Sequence, residues 1–319
     1  MPHIVVAGKL HPAGLALLGA VEGVTVDHIE EISEASYQPY LPQADALVIR
    51  TQPLGVASVA LAQRLKIVSR HGVGYDAVDL AALNAGRIPL CIVGDVNSVS
   101  VAEHAMMLIL AGAKRLIRAD ASARHGPWGW RNRLEAGEIS GKRLLILGYG
   151  RIGRHLARMA AGFGMEIRAY DPFLAMQGWP EDPVASVPSL AEGLAWADVV
   201  SVHLPKAERP ILGAAELAQM KPGAMVINTA RGGIVDEAAL AQALHAGQIG
   251  AAGLDVFEDE PPAPDHPLLG FDQVILTPHI AGLTAESAER MAVASVQNVL
   301  DFFAGRLDPG LIVNRDALT

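Results

Sequence analysis

Three polar residues in the last third of the chain have side chains suited to one reaction: Arg231 in INTARGGIVD, Glu260 in LDVFEDEPP and His279 in LTPHIAG. An arginine presents a planar, permanently charged fork that grips a carboxylate through two parallel hydrogen bonds. A histidine titrates near neutrality, and a neighbouring carboxylate orients its ring and favours the imidazolium, as general acid–base work requires. Interconversion of a 2-hydroxy acid and a 2-oxo acid needs this set. A fixed cation holds the carboxylate, a donor polarises the carbonyl or alkoxide, and a third group takes the hydroxyl proton as hydride leaves. Taken singly, each residue has a plainer reading: a surface charge after a strand, an acid in a solvated loop, a structural histidine. It is their occurrence together, each just beyond a strand-like run, that points to chemistry.

The hydride needs an acceptor, and residues Leu144 to Asp171, LLILGYGRIGRHLARMAAGFGMEIRAYD, read as a place for one. An apolar strand runs into Gly148-x-Gly150-x-x-Gly153, then an amphipathic helix, a second strand and an acid. The glycines respectively turn the chain tightly, let the backbone approach a pyrophosphate, and let the helix pack close to the strand. Unpaired N–H groups and the positive end of the helix dipole then face the phosphates. Asp171 stands where a carboxylate accepts hydrogen bonds from ribose hydroxyls and repels a 2′-phosphate, which favours NAD over NADP.

These groups must be carried by a frame, and the frame is α/β. Before the fingerprint, strands are expected at His3–Ala7, Val24–His28, Ala46–Arg50, Lys66–Ser69 and Pro89–Val93, with helices such as Ala13–Ala20 and Val56–Arg64 between them. Such alternation builds a parallel sheet. A helical segment from about Ser98 to Ala123 follows, opened by Ser100 and Glu103 as a capping box, and its length suits a connector between domains. The stretch RHGPWGWRNRLEAGEISGK reads as an arm. Later strands are expected at Val199–His203, Met225–Asn228, Ala251–Val256 and Val274–Leu276, and a last helix at Ala285–Ala304. Ligands of open parallel sheets sit beyond the carboxyl ends of the strands, so His203, Thr229, Arg231, Asp255 and His279 are candidates for one cleft. Arg50 and His71 face it from first-domain strand ends, and each reads either as a contact to the distal end of a substrate or as a surface residue. Asp255 reads either as a turn-capping aspartate or as a cofactor contact. His104 beside Glu103 lacks an HExxH pattern or a third ligand, so it is read as a helix-packing histidine and no metal site is expected.

At this point the sequence resembles the D-isomer-specific 2-hydroxyacid dehydrogenases, the family of phosphoglycerate, glycerate (hydroxypyruvate) and D-lactate dehydrogenases. The resemblance runs almost end to end: HGVGYDAVD at His71–Asp79, NSVSVAEHAMMLIL at Asn97–Leu110, GYGRIG, HLP at His203–Pro205, NTARGGIVDEAAL, LDVFEDEPP and PHIAG. It implies a Rossmann-like NAD domain at residues 99–285, inserted into a flavodoxin-like substrate domain made of residues 1–98 plus 286–319, each with a parallel sheet. It implies Arg231 as binder of substrate carboxylate and carbonyl, His279 as general acid–base, and Glu260 as its paired carboxylate. Val73 and Gly74 would offer backbone N–H groups to the substrate carboxylate, and Arg50 in VIRT would stand near an anionic distal group. Cofactor contacts would come from Gly148, Tyr149, Gly150, Arg151, Ile152, Gly153, Asp171, His203, Leu204, Pro205, Thr229, Ala230, Asp255 and Gly282. The resemblance further implies a homodimer through the cofactor domains, with Trp128 and Trp130 on a contact arm. A chain ending at NRDALT leaves no room for the C-terminal regulatory domain found in many phosphoglycerate dehydrogenases. A different class, an NAD-sensing co-repressor of the same fold, is disfavoured by the lack of long flexible extensions. The formate dehydrogenase branch fits less well, since it has Gln where Glu260 stands.

Composition bounds the remaining possibilities. The chain has 319 residues, 51% of them hydrophobic and 5% aromatic, with a net charge of −9. That length suits two domains with sizeable cores. The acidic balance argues against a partner with a phosphate backbone, so no nucleic acid is expected. No apolar run reaches the length of a membrane span, and MPHIVVAGKL enters a strand without a leader-like pattern. The single cysteine, Cys91 in IPLCIV, excludes an internal disulfide and reads as a buried structural thiol. A reducing cytoplasm fits all of this.

Overall fold

Strands at the centre of a parallel sheet are covered on both faces and read as unbroken apolar runs, whereas edge strands admit polar residues. That distinction organises both halves of the chain. The computed structural model describes residues 2–318. The chain divides into two compact units, Met1–Asn97 with Leu283–Thr319, and Ser98–Gly282.

In the first unit, β1 (His3–Ala7), β2 (Thr25–Ile29), β3 (Ala46–Ile49), β4 (Ile67–Arg70) and β5 (Leu90–Cys91) form a parallel sheet in the order β2-β1-β3-β4-β5. Central β3, ALVI, is wholly buried, while edge β2, TVDHI, is not. Val5, Leu47 and Val68 pack under Tyr37, Leu41 and Leu83 on one face. On the other, Ile4, Val6, Val48 and Ile67 meet Ala292, Val296 and Val299 of the helix Ala285–Phe303. Each valine, leucine or isoleucine among them contributes about 1.5–3 kcal/mol by leaving water. The returning helix is capped reciprocally, with Ser287 N donating to Thr284 Oγ1 (3.1 Å) and Thr284 N to Ser287 Oγ (2.9 Å).

One expected strand is shorter than its apolar run. Only Leu90 and Cys91 of Pro89–Val93 pair with β4. The C-terminal segment lies antiparallel on the outer edge, where Ile92 N donates to Leu311 O (3.0 Å) and Val313 N to Leu90 O (2.8 Å). An exposed edge is thereby covered by a segment more than two hundred positions away in sequence, which no local pattern announces.

The second unit holds β6 (Arg143–Leu147), β7 (Glu166–Tyr170), β8 (Ala185–Ser186), β9 (Val199–Val202), β10 (Ala224–Asn228), β11 (Ile249–Leu254) and β12 (Val274–Leu276). Their order is β12-β11-β10-β9-β6-β7-β8, all parallel. The chain winds one way from β6 to β8 and the other way from β9 to β12, so its direction reverses between β6 and β9. That switch point is where open α/β sheets leave a crevice for ligands. The α/β class with two parallel sheets expected from the alternation of runs is the architecture found.

The connector differs from expectation. The helix starts at Ser98 and ends at Ala113, so Ser100 lies buried inside its first turn and Ser100 with Glu103 does not form the cap. Arg115 then takes a left-handed conformation (φ +52°), its Nη1 donates to Gly250 O at the start of β11 (2.9 Å), and a second helix, Leu116–His125, begins. A tertiary bond sets this corner, where a propensity reading runs straight through. Among the described residues no helix is long and apolar enough to cross a membrane.

Candidate active site

At the switch point, the turn after β6 is built by contact. Gly148 has φ +94°, and a Cβ there would stand 2.6 Å from His203 O at the end of β9. A Cβ on Gly153 would collide with Gly148 O, so the helix Arg151–Gly162 can sit this close to the turn only without a side chain. Gly150 is different. No described atom lies within 4 Å of its Cβ position, and it offers the helix no side-chain cap. Open space above uncapped N–H groups is the arrangement a pyrophosphate requires.

Around that space lie several of the residues expected to contact a cofactor. Asp171 follows β7, and its Oδ2 accepts from Tyr149 N (2.9 Å) while Oδ1 accepts from Phe173 N (3.1 Å) and Leu174 N (3.0 Å). These bonds lock its rotamer, and a carboxylate retains lone pairs for further donors. The Tyr149 ring is buried against Trp179, with its hydroxyl donating to Asp182 (2.7 Å), so its side chain is committed to the fold. Arg151 is exposed, Ile152 and Leu204 half-buried, and Pro205 exposed. Among the described residues two buried polar atoms near the strand ends, His203 Nδ1 and Thr229 Oγ1, have no hydrogen-bond partner. His203 Nε2 pairs with Ser201 Oγ (2.9 Å), and burial pushes the ring down to about 3, so it is neutral. Orphaned buried polar atoms cost free energy unless a ligand or water satisfies them. The glycine turn, the open helix end and these two atoms together fit a dinucleotide.

Beyond β10, β11 and β12 stand the three loops with the expected chemical groups. Asn228 is buried and ties the first: its Oδ1 accepts from Ala230 N (3.0 Å) and its Nδ2 donates to Arg231 O (2.9 Å). Arg231 is half-buried, with Nη1 donating to Ala230 O (2.7 Å). Gly232 lies so close to the Phe257 carbonyl that a Cβ would overlap it, which draws the arginine loop against the loop of Glu260. Glu260 is fixed at both oxygens. Oε1 accepts from Phe257 N (3.1 Å) and Oε2 pairs with His279 Nδ1 (2.7 Å). His279 itself has φ +54°, a left-handed backbone rarely adopted by a residue with a side chain. The carboxylate on Nδ1 leaves Nε2 as the ring nitrogen to exchange a proton. Gly282 is the last residue of the second unit.

Asp255 makes the contacts of one of its two readings. It is fully buried, with Oδ1 accepting from Thr277 Oγ1 (2.5 Å) and Ile280 N (2.9 Å), and Oδ2 from Ala281 N (2.8 Å). The carboxylate is a clamp on the His279 loop, as a turn-capping aspartate would be. His104 is also more than a packing residue, since its Nε2 lies 2.9 Å from Thr277 Oγ1 and 3.6 Å from Asp255 Oδ1.

In the first unit, the ends of β3 and β4 carry Arg50, Arg70 and His71. Arg70 Nη1 donates to His71 O (2.9 Å). His71 is buried, and burial first, then the Arg50 and Arg70 charges, lower its pKa to about 4. Val73 and Gly74 follow in the same loop, half-buried. Sequence reading missed Asn228, Gly232, Thr277 and Arg70; only the Gly-Gly pair after Arg231 carried a signal, that of a close backbone approach. Cys91 is buried as expected, its thiol pushed up to about 12.

Residues 106–281 match the D-isomer specific 2-hydroxyacid dehydrogenase, NAD binding domain. The D-3-phosphoglycerate dehydrogenase of Mycobacterium tuberculosis is 39% identical over 315 residues, covering 98% of this chain, which spans only 59% of that protein's length. The glyoxylate reductase of Aeropyrum pernix is 36% identical over 329 residues, covering 99% of this chain and 97% of its own. Among solved structures, the TT0316 protein from Thermus thermophilus superposes with a TM-score of 0.88 at 32% identity, covering 96% of this chain and 98% of its own.

Proposed function

The chain belongs to the D-isomer-specific 2-hydroxyacid dehydrogenases, and from that premise we propose that it transfers hydride between NAD and C2 of a small anionic 2-hydroxy or 2-oxo acid. The observation that carries this reading is the 2.7 Å pairing of Glu260 Oε2 with His279 Nδ1. In oxidation, His279 Nε2 takes the C2 hydroxyl proton, and Glu260 stabilises the imidazolium that results. In reduction, the protonated ring returns that proton to the carbonyl oxygen. Arg231 grips the carboxylate and stabilises negative charge as it develops on the C2 oxygen. Val73 and Gly74 present backbone N–H groups to the same carboxylate, while Arg50 and His71 meet the distal group. NAD, when bound, supplies the hydride acceptor. Gly148 through Gly153 hold its pyrophosphate, Asp171 its ribose, and His203 to Pro205, Thr229, Ala230 and Gly282 its remaining length. The Asp171 carboxylate disfavours a 2′-phosphate, so NAD is preferred to NADP.

The substrate is of the 3-phosphoglycerate, glycerate/hydroxypyruvate or glyoxylate type, with Arg50 favouring a polar or anionic group at the far end. The test is NADH oxidation against hydroxypyruvate, phosphohydroxypyruvate, glyoxylate, pyruvate and sulfopyruvate. Turnover with at least one is expected. Silence across the panel with NADH still bound would favour the co-repressor-like sensor instead.

The enzyme works as a cytoplasmic homodimer through its second unit. Support comes from the apolar groove of about 430 Å³ lined by Met106, Met107, Leu110, Leu116, Met159 and Phe163, and from Trp128 on the neighbouring arm, 67% exposed. Light scattering of the purified protein checks this, and a monomer mass at micromolar concentration would contradict it.

A further inference from the structure

His279 adopts a left-handed backbone conformation that L-residues rarely take, and such a conformation persists only where its surroundings over-determine it. Asp255 supplies those surroundings. Its carbonyl accepts from His279 N (2.8 Å), and its carboxylate accepts from the next two amides, Ile280 N and Ala281 N. The carboxylate must therefore be oriented for the loop to hold. Oδ1 is shared between Ile280 N and the Thr277 hydroxyl.

The hydroxyl has one proton, and it is given to Asp255. At 2.9 Å, His104 Nε2 must then be the donor to Thr277 Oγ1, which places the His104 proton on Nε2. Burial holds the pKa of His104 below its ordinary value, against the raising effect of Asp255, so the ring is neutral with its single proton committed to this bond. The result is a directed series, His104 Nε2–H to Thr277 Oγ1–H to Asp255 Oδ1. It joins the helix Ser98–Ala113 to the loop that carries His279, across 173 positions of sequence.

We propose that His104, acting through Thr277 on the Asp255 carboxylate, is a positioning residue for His279. The inference rests on the reading of His279 as the acid–base group. None of the three residues need touch substrate for it to hold, because their effect is on where the His279 ring stands.

The test is steady-state reduction of whichever panel 2-oxo acid turns over, with NADH affinity measured separately by protein fluorescence. Thr277→Val keeps the shape and removes the hydroxyl; kcat should fall about 30-fold while the NADH Kd and substrate KM stay within about twofold, since misplacement of a catalytic group is felt mainly in turnover. Thr277→Ser should recover kcat to within about threefold of the parent. His104→Gln, which keeps an amide donor, should retain most activity, and His104→Leu should resemble Thr277→Val. The idea is overturned if Thr277→Val turns over normally, if Thr277→Ser is as impaired as Thr277→Val, or if NADH binding is lost in parallel with kcat. Should Thr277→Val not fold, the His104 pair decides by the same outcomes. His279→Asn is run alongside. Near-normal turnover in that variant removes the acid–base reading, whereas an inactive His279→Asn beside a normal Thr277→Val removes the positioning role alone.

Discussion

The two parallel sheets are built on one plan and carry different equipment at their carboxyl edges. In both, the strand order reverses, between β1 and β3 in the five-stranded sheet and between β6 and β9 in the seven-stranded one. In both, a glycine with positive φ follows the strand at the reversal, Gly8 after β1 and Gly148 after β6. Beyond that the edges diverge. The seven-stranded sheet ends in side chains whose partners are other side chains, with Glu260 on His279 and Thr277 on Asp255. The five-stranded sheet ends in two arginines around a buried neutral histidine. Topology says where a ligand goes, and only the residues placed there say whether it is held or transformed.

If that contrast is right, substitutions at the two edges should fail in different ways. The largest effect belongs to His279→Asn, where loss of the general acid–base group should lower kcat by about 10³-fold, within the usual range for such groups. Single-turnover kinetics with NADH and a 2-oxo acid read it directly, and near-normal turnover would erase the distinction between the two edges. A smaller effect is expected of Asp171→Ala, where loss of one charged acceptor should shift the NAD over NADP preference by about tenfold; unchanged selectivity would remove the ribose role.

The smallest effect lies in the first unit and concerns stability. The folded-state pKa of His71, about 4, lies below its ordinary 6.5. Between those values the unfolded chain binds a proton that the native chain does not, so the stability tied to neutral His71 is complete above about pH 6.5 and drains as the pH falls towards 4. From pH 7 to pH 5 this amounts to about 2 kcal/mol. Urea unfolding of His71→Gln should show an acid-side loss smaller by that amount, and an unaltered pH dependence would contradict it.

How much could be read beforehand follows the same division between local and distant causes. The glycine turn and Asp171 were legible because 24 consecutive residues, Gly148 to Asp171, hold turn, helix, strand and acid in order. Arg231, Glu260 and His279 were legible as types at strand ends, although nothing in the string shows that Glu260 meets the Nδ1 side of the ring. What escaped was decided by partners far away. The Arg115 corner depends on Gly250, the short β5 on the C-terminal segment, and His104's place beside Thr277 on the path of a whole domain. Ser100 and Glu103 have capping-box spacing, yet the helix begins earlier, at Ser98, with Ser98 and Ser100 both buried.

Gly232 is a hinge between composition and geometry. Its missing side chain is what lets the arginine loop rest on the Phe257 carbonyl. A single methyl group at that position would act as a wedge, prising apart two loops whose every charged atom remained intact. A homologous chain could thus display the arginine, the glutamate and the histidine in perfect order and still be disarmed by one bulky neighbour. Reading such a chain for its function therefore means inspecting the silent residue beside the charged one before crediting the charged one with work.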